Sequence, residues 1–600
     1  MSGTIETVRR HAATIGLTAI LLAACAEGDN PFGAAEPKVA PQPKPPAAEF
    51  AATRFAASAS HPLAAEAARD VLKKGGSAVD ATIAAALVMG VVEPQASGIG
   101  GGGFLLHYDA AKKALTAIDG RETAPAAALA EMFLENGKPM PFAAAARGGK
   151  PVGVPGLVRL MEDAHKAHGK LPWKDLFAAA IGHAENGFEV STQLHQAIVD
   201  AAGDLKVARE AAALYLDDKG AARPKGYRLK NPALAASMRQ IAEKGADAFY
   251  SGATAEAITR AVRDARHNPA QLTAADLAAY RAKSREAVCL PYRAHKVCSM
   301  PPPSSGGVAL LQILGTLAPF DLKAEKPFSV DAVHLISEAS RLAFADREVY
   351  VGDPDSVPVP LKGLLAPDYL TERAKSISRT RAMKSPAPGM PAMSALGATE
   401  YALDLSSLPE EGESTAHVSV VDAAGNVASL TASVERRFGA RITAAGFVLN
   451  NQLTDFAFAP TRQGGAVANA VAANKRPRSS MTPTIVFDGQ NRPVLAVGSP
   501  GGPRIIGYVA KTVIATIDWG MDPAAAVRAG NVLDRGRGIE IEKGSSLEPL
   551  KPALESKGHG VWVGEMESGA NIVAIKYGPG ATRTLVGVAD PRREGAAAGE

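Results

Sequence analysis

The sequence predicts an α/β (α+β) fold in which layered sheets are covered by helices. Pairs of short segments that alternate apolar and polar residues are separated by longer blocks with helical periodicity. The chain has 600 residues, 46% hydrophobic and 21% charged, and this ordinary globular composition can fill one very large core or several smaller ones. The formal net charge is only +4 and no long basic run is present, so nucleic-acid binding has no electrostatic support.

Residues 1–24 have the pattern of a bacterial lipoprotein signal peptide. Arg9 and Arg10 precede the run "IGLTAILLAACA", which is too short to span a bilayer and ends in a lipobox-like "LAAC". We therefore expect Cys25 to be lipidated and the protein to lie in the periplasm, attached to a membrane only through this lipid. No Asp follows Cys25, which favours the outer over the inner membrane. The alternative is a plain secretory signal with an incidental cysteine. Residues 25–50 are rich in Pro and Ala and predict an extended tether.

The folded part is predicted to begin with two helices, the first capped by Ser60-His61-Pro62 and the second starting at Ser77. The glycines of the next segment, "GIGGGGFLLHYD", fit G-x-G-x-x-G. A dinucleotide-binding loop follows a strand and opens a helix, whereas this loop follows a helix and opens a strand. We therefore expect no nucleotide cofactor. The strand returns as "ALTAIDGRE", which places Arg121 just beyond its end.

Two cysteines remain after the signal peptide, Cys289 and Cys298. They lie in "AVCLPYRAHKVCSM", which predicts two short strands with a turn between them, at similar distances from that turn. A facing register would allow a disulfide in the oxidising periplasm. A slip of one residue would instead leave two thiols on opposite faces. No cluster of Cys or His residues has metal-ligand spacing, so we expect no metal site.

A predicted hairpin, "STAHVSVVDAAGNVASLTASVE", carries two hydroxyl residues, Ser414 and Thr415, where a polar connection meets a strand. If "AAGN" forms a four-residue loop, Thr415 lies opposite about Val434, within one residue, and Ser433 or its neighbour lies beside it. A hydroxyl at that position can orient the Thr415 oxygen by a cross-strand hydrogen bond. The alternative is a pair of ordinary strand hydroxyls bonded to water.

A threonine hydroxyl needs a base to act as a nucleophile, and no G-x-S-x-G elbow or Ser-His-Asp pattern supplies one. Cleavage of the Ser414–Thr415 bond would give Thr415 a free α-amine. Its ordinary pKa of about 7.7–8.0 makes such an amine a usable base at neutral pH. Attack of the Thr415 hydroxyl on the Ser414 carbonyl, followed by hydrolysis of the ester, is sufficient for this cleavage. The sequence thus suggests a precursor that cuts itself.

The chain resembles the γ-glutamyltransferases, N-terminal-nucleophile hydrolases that split into two subunits. The matching stretches follow the order found in that family from about Ala51 onward, and they are "EPQASGIGGGGFLLHYD", "DGRETAP", "GVPG", "MPPPSSGG", "FADREVYVGDP", "STAHVSVVDAAGN", "LNNQLTDF", "NKRPRSSMTPTI" and "GSPGGPRII". The resemblance implies a four-layer αββα sandwich, a large subunit of residues 51–414 and a small subunit of residues 415–600 that starts with the catalytic Thr415. It implies no cofactor.

The resemblance also assigns roles by position. A γ-glutamyl group carries an α-carboxylate and an α-ammonium, and the family contacts both. It implies that Arg121, Ser479 and Ser480 bind the carboxylate, where a guanidinium is well suited. Asp455 would hold the ammonium, assisted by two further side chains, Gln452 and Glu435. Ser433 would support the nucleophile, and the backbone N–H groups of Gly501 and Gly502 would face the developing oxyanion.

Some positions depart from the family pattern. Ala416 stands where many members have a second Thr, and Ser433 replaces a frequent Thr. Arg437 and Arg441 replace a Gly- and Ser-rich stretch and could narrow or recharge the mouth of the site. Between Phe456 and Asn474 the sequence resembles a shortened lid without its usual Tyr, which would leave the site more open to larger acceptors or to water.

The expected activity is that of a γ-glutamyltransferase and glutathione hydrolase. Its donors would be glutathione and other γ-glutamyl compounds, and its acceptors would be water, amino acids or dipeptides. A second enzymatic interpretation is a relative that acts on cephalosporin side chains or poly-γ-glutamate. Asp455 argues against the cephalosporin-type activity, because an acyl group without an α-ammonium does not need this carboxylate. A third interpretation is a non-catalytic lipoprotein that keeps the fold for solute binding, and an uncleaved chain would favour it.

Overall fold

The computed structural model describes residues 49–392, 414–462, 465–580 and 582–600. The expected signal peptide, the lipidated Cys25, nearly all of the tether and most of the polar connection before Ser414 lie outside these residues. Glu49 and Phe50 correct the predicted end of the tether. They belong to the first strand, where they pair with Val588 and Gly587, so the fold begins two residues earlier than expected.

Two seven-stranded antiparallel sheets form the centre of the molecule. In chain order their strands are β1 Glu49–Ala52, β2 Ala56–Ala59, β3 Gly102–Asp109, β4 Ala114–Gly120, β5 Lys283–Arg285, β6 Val288–Tyr292, β7 His295–Ser299, β8 Ser414–Val421, β9 Val427–Glu435, β10 Thr484–Phe487, β11 Pro493–Gly498, β12 Asn571–Tyr577, β13 Arg583–Ala589 and β14 Ala596–Gly599. Sheet 1 has the order β14-β2-β8-β9-β3-β4-β5, and sheet 2 has the order β1-β13-β12-β11-β10-β7-β6.

Helices cover the outer face of each sheet. Those of eight residues or more are α1 Pro62–Lys73, α2 Ala78–Val92, α3 Leu157–His168, α4 Ala178–Asn186, α5 Thr192–Leu205, α6 Pro232–Lys244, α7 Gly252–Arg263, α8 Gly306–Leu317, α9 Val330–Tyr350, α10 Pro367–Lys375 and α11 Arg504–Ile517. One hydrophobic core joins α1 to α7 to sheet 1, and a second joins both sheets to α8, α9 and α11. The result is the expected αββα sandwich of four layers.

Helix α2 and the glycine-rich loop after it lie directly against the hairpin of β8 and β9. A capping box between Ser77 and Asp80 starts α2, and all of its residues are buried, as its uniformly apolar sequence predicts. The loop then opens β3, so it is not a dinucleotide-binding loop. A Cβ on Gly101 would lie 2.1 Å from the backbone oxygen of Ser433. Glycine is therefore needed here for close packing beneath β9.

The hairpin of β8 and β9 differs by one residue from the register predicted for it. Val421 pairs with Val427, and the backbone N–H of Asp422 donates to the oxygen of Asn426 at 3.0 Å, which shortens the loop relative to prediction. A β-bulge then interrupts the pairing between Ser414 and Ala416. Thr415 therefore occupies the irregular position of the strand. A bulge re-aims the side chain at such a position relative to the regular ladder.

The strands β6 and β7 place Cys289 directly opposite Cys298, and the structure joins the two by a disulfide with a Cα–Cα distance of 4.1 Å. Cys298 is fully buried in the core between sheet 2 and its helices, whereas Cys289 is exposed. Neither residue lines the cavity described below. Within the described residues, no helix combines the length and apolarity that a membrane span requires.

We predict that this disulfide contributes modestly to stability. The two cysteines are 9 residues apart, and closing so short a loop restricts the unfolded chain by about 2–3 kcal/mol. Urea unfolding of the wild type and of the Cys289→Ser/Cys298→Ser double variant should differ by this amount. Thiol titration of denatured, unreduced wild type should detect neither cysteine. Two titratable thiols besides Cys25 would rule the bridge out.

Candidate active site

A row of buried polar side chains lies between the two sheets, on the face of the β8–β9 hairpin that points to sheet 2. Alternate residues of each strand supply them, because side chains alternate across a strand. The row consists of Thr415, His417 and Ser419 on β8 and Ser429, Thr431 and Ser433 on β9, each at most 3% exposed. The intervening residues of both strands, such as Ala416 and Val418, pack into the helical core on the other face. The expected alternation is therefore present, but its polar face is buried.

His417 does not act on the Thr415 hydroxyl as a base. Its Nδ1 lies 2.8 Å from Thr431 Oγ1 and its Nε2 lies 3.0 Å from Ser419 Oγ, so both ring nitrogens have partners further along the row. Burial lowers the pKa of His417 to about 3, which keeps the imidazole neutral at physiological pH. Catalysis at Thr415 therefore needs a different base.

Ser433 connects the Thr415 hydroxyl to the peptide bond that would be cut. Its Oγ donates to the Ser414 carbonyl oxygen at 2.7 Å and accepts from the Glu435 N–H at 2.9 Å. Thr415 Oγ1 lies 3.2 Å from the same Ser433 Oγ and also contacts the Ser414 carbonyl oxygen. The nucleophile, its carbonyl target and a hydrogen-bond donor to the developing oxyanion are thus assembled in the intact chain. The cross-strand contact proposed from the sequence is present, with Ser433 as the partner.

Further contacts hold the two residues of this peptide bond from both sides. The Ser414 hydroxyl donates to the backbone oxygen of Gln95, in the turn that follows α2. On the other side, Nη1 of Arg593 donates to the Thr415 carbonyl oxygen at 3.3 Å. The sequence prediction missed both residues. Gln95 lies in the quoted stretch "EPQASGIGGGGF", but the polar side chains of that stretch were given no role.

A small cavity of about 20 Å³ adjoins Thr415 and is lined by all six predicted substrate-binding residues. This volume holds about one water molecule. The cavity is lined by Arg121, Ser414, Thr415, Ser433, Glu435, Gln452, Asp455, Ser479, Ser480, Met481, Gly502 and Ile505. Residues from six separate stretches of the sequence therefore meet at one point. In the intact chain the cavity is too small for a γ-glutamyl group.

Arg121 and Asp455 bind each other across this cavity. The guanidinium is 1% exposed and also donates to the backbone oxygens of Pro477 and Arg478, at 3.1 and 3.0 Å. Burial alone would lower the pKa of Arg121, but Asp455 and Glu122 outweigh it and raise the pKa. Arg121 therefore stays charged. The two groups present one positive and one negative charge side by side, as recognition of a zwitterion requires.

Ser479 and Ser480 are positioned by Arg347, which the sequence prediction also missed. Arg347 Nη2 donates to Ser480 Oγ at 2.8 Å, and its Nε donates to Ser305 Oγ at 2.8 Å. Ser305 Oγ in turn donates to the backbone oxygen of Ser479 at 2.6 Å. Arg347 belongs to "FADREVYVGDP", whose charged residues, buried in the last turn of α9, were the available signal.

Gly501 and Gly502 lie at the start of α11, and both have positive φ angles, of 130° and 55°. A Cβ on Gly501 would lie 2.7 Å from the ring of Tyr508, so only glycine fits there. Gly502 lines the cavity, whereas Gly501 does not. The positive end of the helix dipole of α11 therefore faces the region where an oxyanion would form.

Glu435 and Gln452 complete the cavity in different ways. Glu435 has a φ angle of 81°, an uncommon value for a non-glycine residue, and its carboxylate accepts from the side-chain amide of Asn451. Gln452 is 1% exposed, and within the described part of the chain neither its amide nitrogen nor its amide oxygen has a hydrogen-bond partner. A buried amide with both groups available is suited to a polar ligand.

The two unusual arginines do not line this cavity, contrary to the expectation that they could alter its mouth. Arg437 forms surface ion pairs with Asp200 and Glu567, both at 2.8 Å. Arg441 lies 3.4 Å from Asp204 in a separate pocket. Each is held by an acidic partner that the sequence did not reveal.

The shortened lid segment borders a second cavity of about 340 Å³, which adjoins Asp455. Its walls include Phe456 and Phe458 from this segment. Residues 463 and 464 within the segment lie outside the described part. The lid therefore forms an apolar wall beside the cavity at Thr415.

Comparison with known proteins shows which family the chain resembles over nearly its whole length. The sequence profile of the family described as gamma-glutamyltranspeptidase matches residues 64–600. The "Glutathione hydrolase proenzyme" of Bacillus subtilis (strain 168) is 39% identical over 545 residues, 90% of each chain. The "Acylase ACY 1 proenzyme" of Pseudomonas sp. (strain SE83) is 35% identical over 571 residues, 93% of this chain and 96% of the acylase. The crystal structure of cephalosporin acylase from Bacillus halodurans superposes with a TM-score of 0.81 at 27% identity, and covers 94% of this chain and 99% of its own.

We predict that Ser433→Ala slows cleavage of the Ser414–Thr415 bond. The variant removes the donor to the Ser414 carbonyl oxygen and the acceptor for Thr415 Oγ1, and loss of one oxyanion donor costs roughly 10²–10³-fold in rate. A time course on denaturing gels measures the conversion of full-length chain into two fragments. Ser429→Ala is the matched control, because it removes a buried hydroxyl from the same face of β9. Equal rates for both variants and the wild type would contradict the role of Ser433.

Proposed function

The chain belongs to the gamma-glutamyltranspeptidase family, and we propose that it is a glutathione hydrolase and γ-glutamyltransferase with Thr415 as its nucleophile. One observation carries this proposal: the hydroxyl of Thr415 contacts both the Ser414 carbonyl oxygen and Ser433 beside a cavity that holds Arg121 and Asp455. A nucleophile poised against its own preceding peptide bond, next to paired charges of opposite sign, fits both self-cleavage and recognition of a γ-glutamyl group.

Self-cleavage proceeds within the β-bulge. Thr415 Oγ1 attacks the Ser414 carbonyl carbon while Ser433 stabilises the negative charge on the carbonyl oxygen, and the bond to the Thr415 nitrogen breaks. The proton lost from the hydroxyl ends on that nitrogen, so the first product is an ester of Ser414 with a free Thr415 amine. Water hydrolyses the ester, which leaves a carboxylate on Ser414 and restores the Thr415 hydroxyl. Nucleophile and base then belong to one residue.

In turnover, the zwitterionic end of the donor replaces the ion pair between Arg121 and Asp455. The donor carboxylate binds Arg121, Ser479 and Ser480, and the donor ammonium binds Asp455 and its neighbours Glu435 and Gln452. This exchange opens the small cavity and places the γ-amide at Thr415. The N–H groups of Gly501 and Gly502 stabilise the oxyanion, and cysteinylglycine leaves from glutathione. Water or the amine of an amino acid or dipeptide then takes the γ-glutamyl group.

The acylase relatives make cephalosporin side chains the competing donor class, and Asp455 distinguishes the two. An acyl group whose carboxylate takes Arg121 from Asp455, but which lacks an α-ammonium, would leave the Asp455 carboxylate without a cationic partner, which is costly in a buried site. A γ-glutamyl group supplies this partner, because its α-ammonium pairs with the Asp455 carboxylate. The position of Asp455 on the cavity wall therefore favours γ-glutamyl donors.

We predict that Thr415→Ala remains a single full-length chain. The hydroxyl that attacks and the amine that later acts as base must belong to one residue, so removing the hydroxyl stops the first step. Denaturing gels of the variant should show one band, and N-terminal sequencing of the smaller wild-type band should begin at Thr415. A Thr415→Ala protein that still splits between residues 414 and 415 would show that another protease makes the cut.

We also predict that Asp455→Asn and Arg121→Gln lower kcat/KM for glutathione by about 30- to 1,000-fold. Each change leaves one end of the zwitterion without its charged partner, at a cost of roughly 2–4 kcal/mol. Kinetics must be measured on self-cleaved protein, so that only donor recognition is compared. Arg437→Gln is the control, because its ion pairs lie on the surface away from the cavity. Near-wild-type kcat/KM in either site variant would remove that residue from donor binding.

A further inference from the structure

The turn between α2 and the glycine-rich loop, residues Glu93–Ser97, lies directly beneath the peptide bond that is cut. The Ser414 hydroxyl donates to the backbone oxygen of Gln95. The end of β9 rests on the same turn, because Val434 N–H donates to the Ala96 oxygen at 3.2 Å and Phe438 N–H donates to the Gln95 oxygen at 3.1 Å. The turn is therefore fixed against the segments that carry Ser414 and Ser433.

The side chains of this turn bury polar oxygens that lack partners within the described ranges of the chain. They are one carboxylate oxygen of Glu93, the amide oxygen of Gln95 and the hydroxyl of Ser97, in residues that are 2%, 5% and 2% exposed. A buried acceptor without a donor costs about 1–3 kcal/mol. Three such oxygens in one short turn are suited to a group that carries several N–H donors.

Arg593 connects this turn to Thr415. It donates to the Thr415 carbonyl oxygen at 3.3 Å, and it is the basic group whose charge acts on the Glu93 carboxyl. The carboxyl of Glu93 and the backbone of Thr415 therefore lie near the same guanidinium. Self-cleavage creates one new group with three N–H donors next to it, which is the α-ammonium of Thr415.

We propose that the Glu93–Ser97 turn is the binding site for the α-ammonium of Thr415, with the Glu93 carboxylate as its counter-charge and the oxygens of Gln95 and Ser97 as further acceptors. The proposal rests on the function proposed above, because the ammonium exists only after the chain has cut itself. The turn would then receive a group that the intact chain cannot supply, since a peptide N–H offers one donor and no charge. Glu93 is a positioning residue in this account.

A proton shared between Glu93 and the amine would suit the role of the amine as a base. Burial raises the pKa of Glu93 to about 8, near the ordinary α-amine pKa of about 7.7–8.0, so the two groups titrate as a pair. Attraction between the Thr415 ammonium and the Glu93 carboxylate stabilises the charged form of the amine and raises its pKa. The charged groups that also face the pair are Arg593 and Glu594 from the C-terminal segment and Glu435 from β9.

The test is the pH profile of kcat/KM for γ-glutamyl-p-nitroanilide in the wild type and in Glu93→Gln. The neutral amine is the active form, so activity rises as pH passes through its pKa. Without the Glu93 carboxylate, that rise should move to lower pH by roughly one unit. A merely structural role for Glu93 would lower activity at every pH and leave the position of the rise unchanged. An unshifted profile in a self-cleaved Glu93→Gln enzyme would overturn the proposal.

Two further variants keep the test decisive. Glu338→Gln removes a buried carboxylate that binds Arg341 at 2.6 Å, outside the cavity, and its profile should match the wild type. If Glu93→Gln fails to fold, Glu93→Asp keeps the charge but withdraws it by one methylene, and its profile should shift in the same direction by less. An unshifted Glu93→Asp profile, or a folded Glu93→Gln chain that never cleaves, would contradict a site that acts only after cleavage. If the profile does not shift, but the variant still cleaves itself before Thr415 and still hydrolyses the substrate, the proposed ammonium site is overturned and the proposed function is not.

Discussion

The arrangement of the site depends on the burial of the Ser414–Thr415 peptide between two sheets, in a β-bulge where Ser433 bonds to both its carbonyl oxygen and its hydroxyl nucleophile. The bulge re-aims the Thr415 side chain relative to the regular ladder. The Ser414 hydroxyl donates to the Gln95 backbone oxygen and Arg593 donates to the Thr415 carbonyl oxygen, so the two residues of this peptide are held on both sides. Because the peptide is already buried and oriented, the proposed self-cleavage needs no outside protease.

The paired charges of Arg121 and Asp455 explain how one site can be closed in the intact chain and specific afterwards. Buried charges are stable only when they are paired, and without donor they pair with each other. A γ-glutamyl group brings a carboxylate and an ammonium in the same arrangement, so it can replace this ion pair without leaving either charge alone. A ligand with only one of the two charges cannot replace the ion pair without leaving Arg121 or Asp455 alone. This difference is the physical basis of the proposed donor selection.

The sequence predicts the layered fold and nearly all of the cavity wall, because the motifs that carry Arg121, Asp455, Ser479 and Gly502 each keep a recognisable pattern. It places Ser433 beside Thr415 only to within one residue, because the sequence does not fix the length of the hairpin loop, which is one residue shorter than predicted. The supporting groups were missed for another reason. Arg347 and Arg593 act through contacts with residues far away in the chain, and local pattern does not report such pairs.

In the proposed mechanism, Thr415 becomes the N-terminal residue that carries the γ-glutamyl group during turnover. Rapid acid quenching of the self-cleaved enzyme with glutathione, followed by peptide mapping of the small chain by mass spectrometry, tests it directly. The account predicts one added γ-glutamyl group on the N-terminal peptide that begins at Thr415, and no such addition in the full-length Thr415→Ala chain. A γ-glutamyl group on any other peptide, or turnover in enzyme that never becomes acylated, would contradict it.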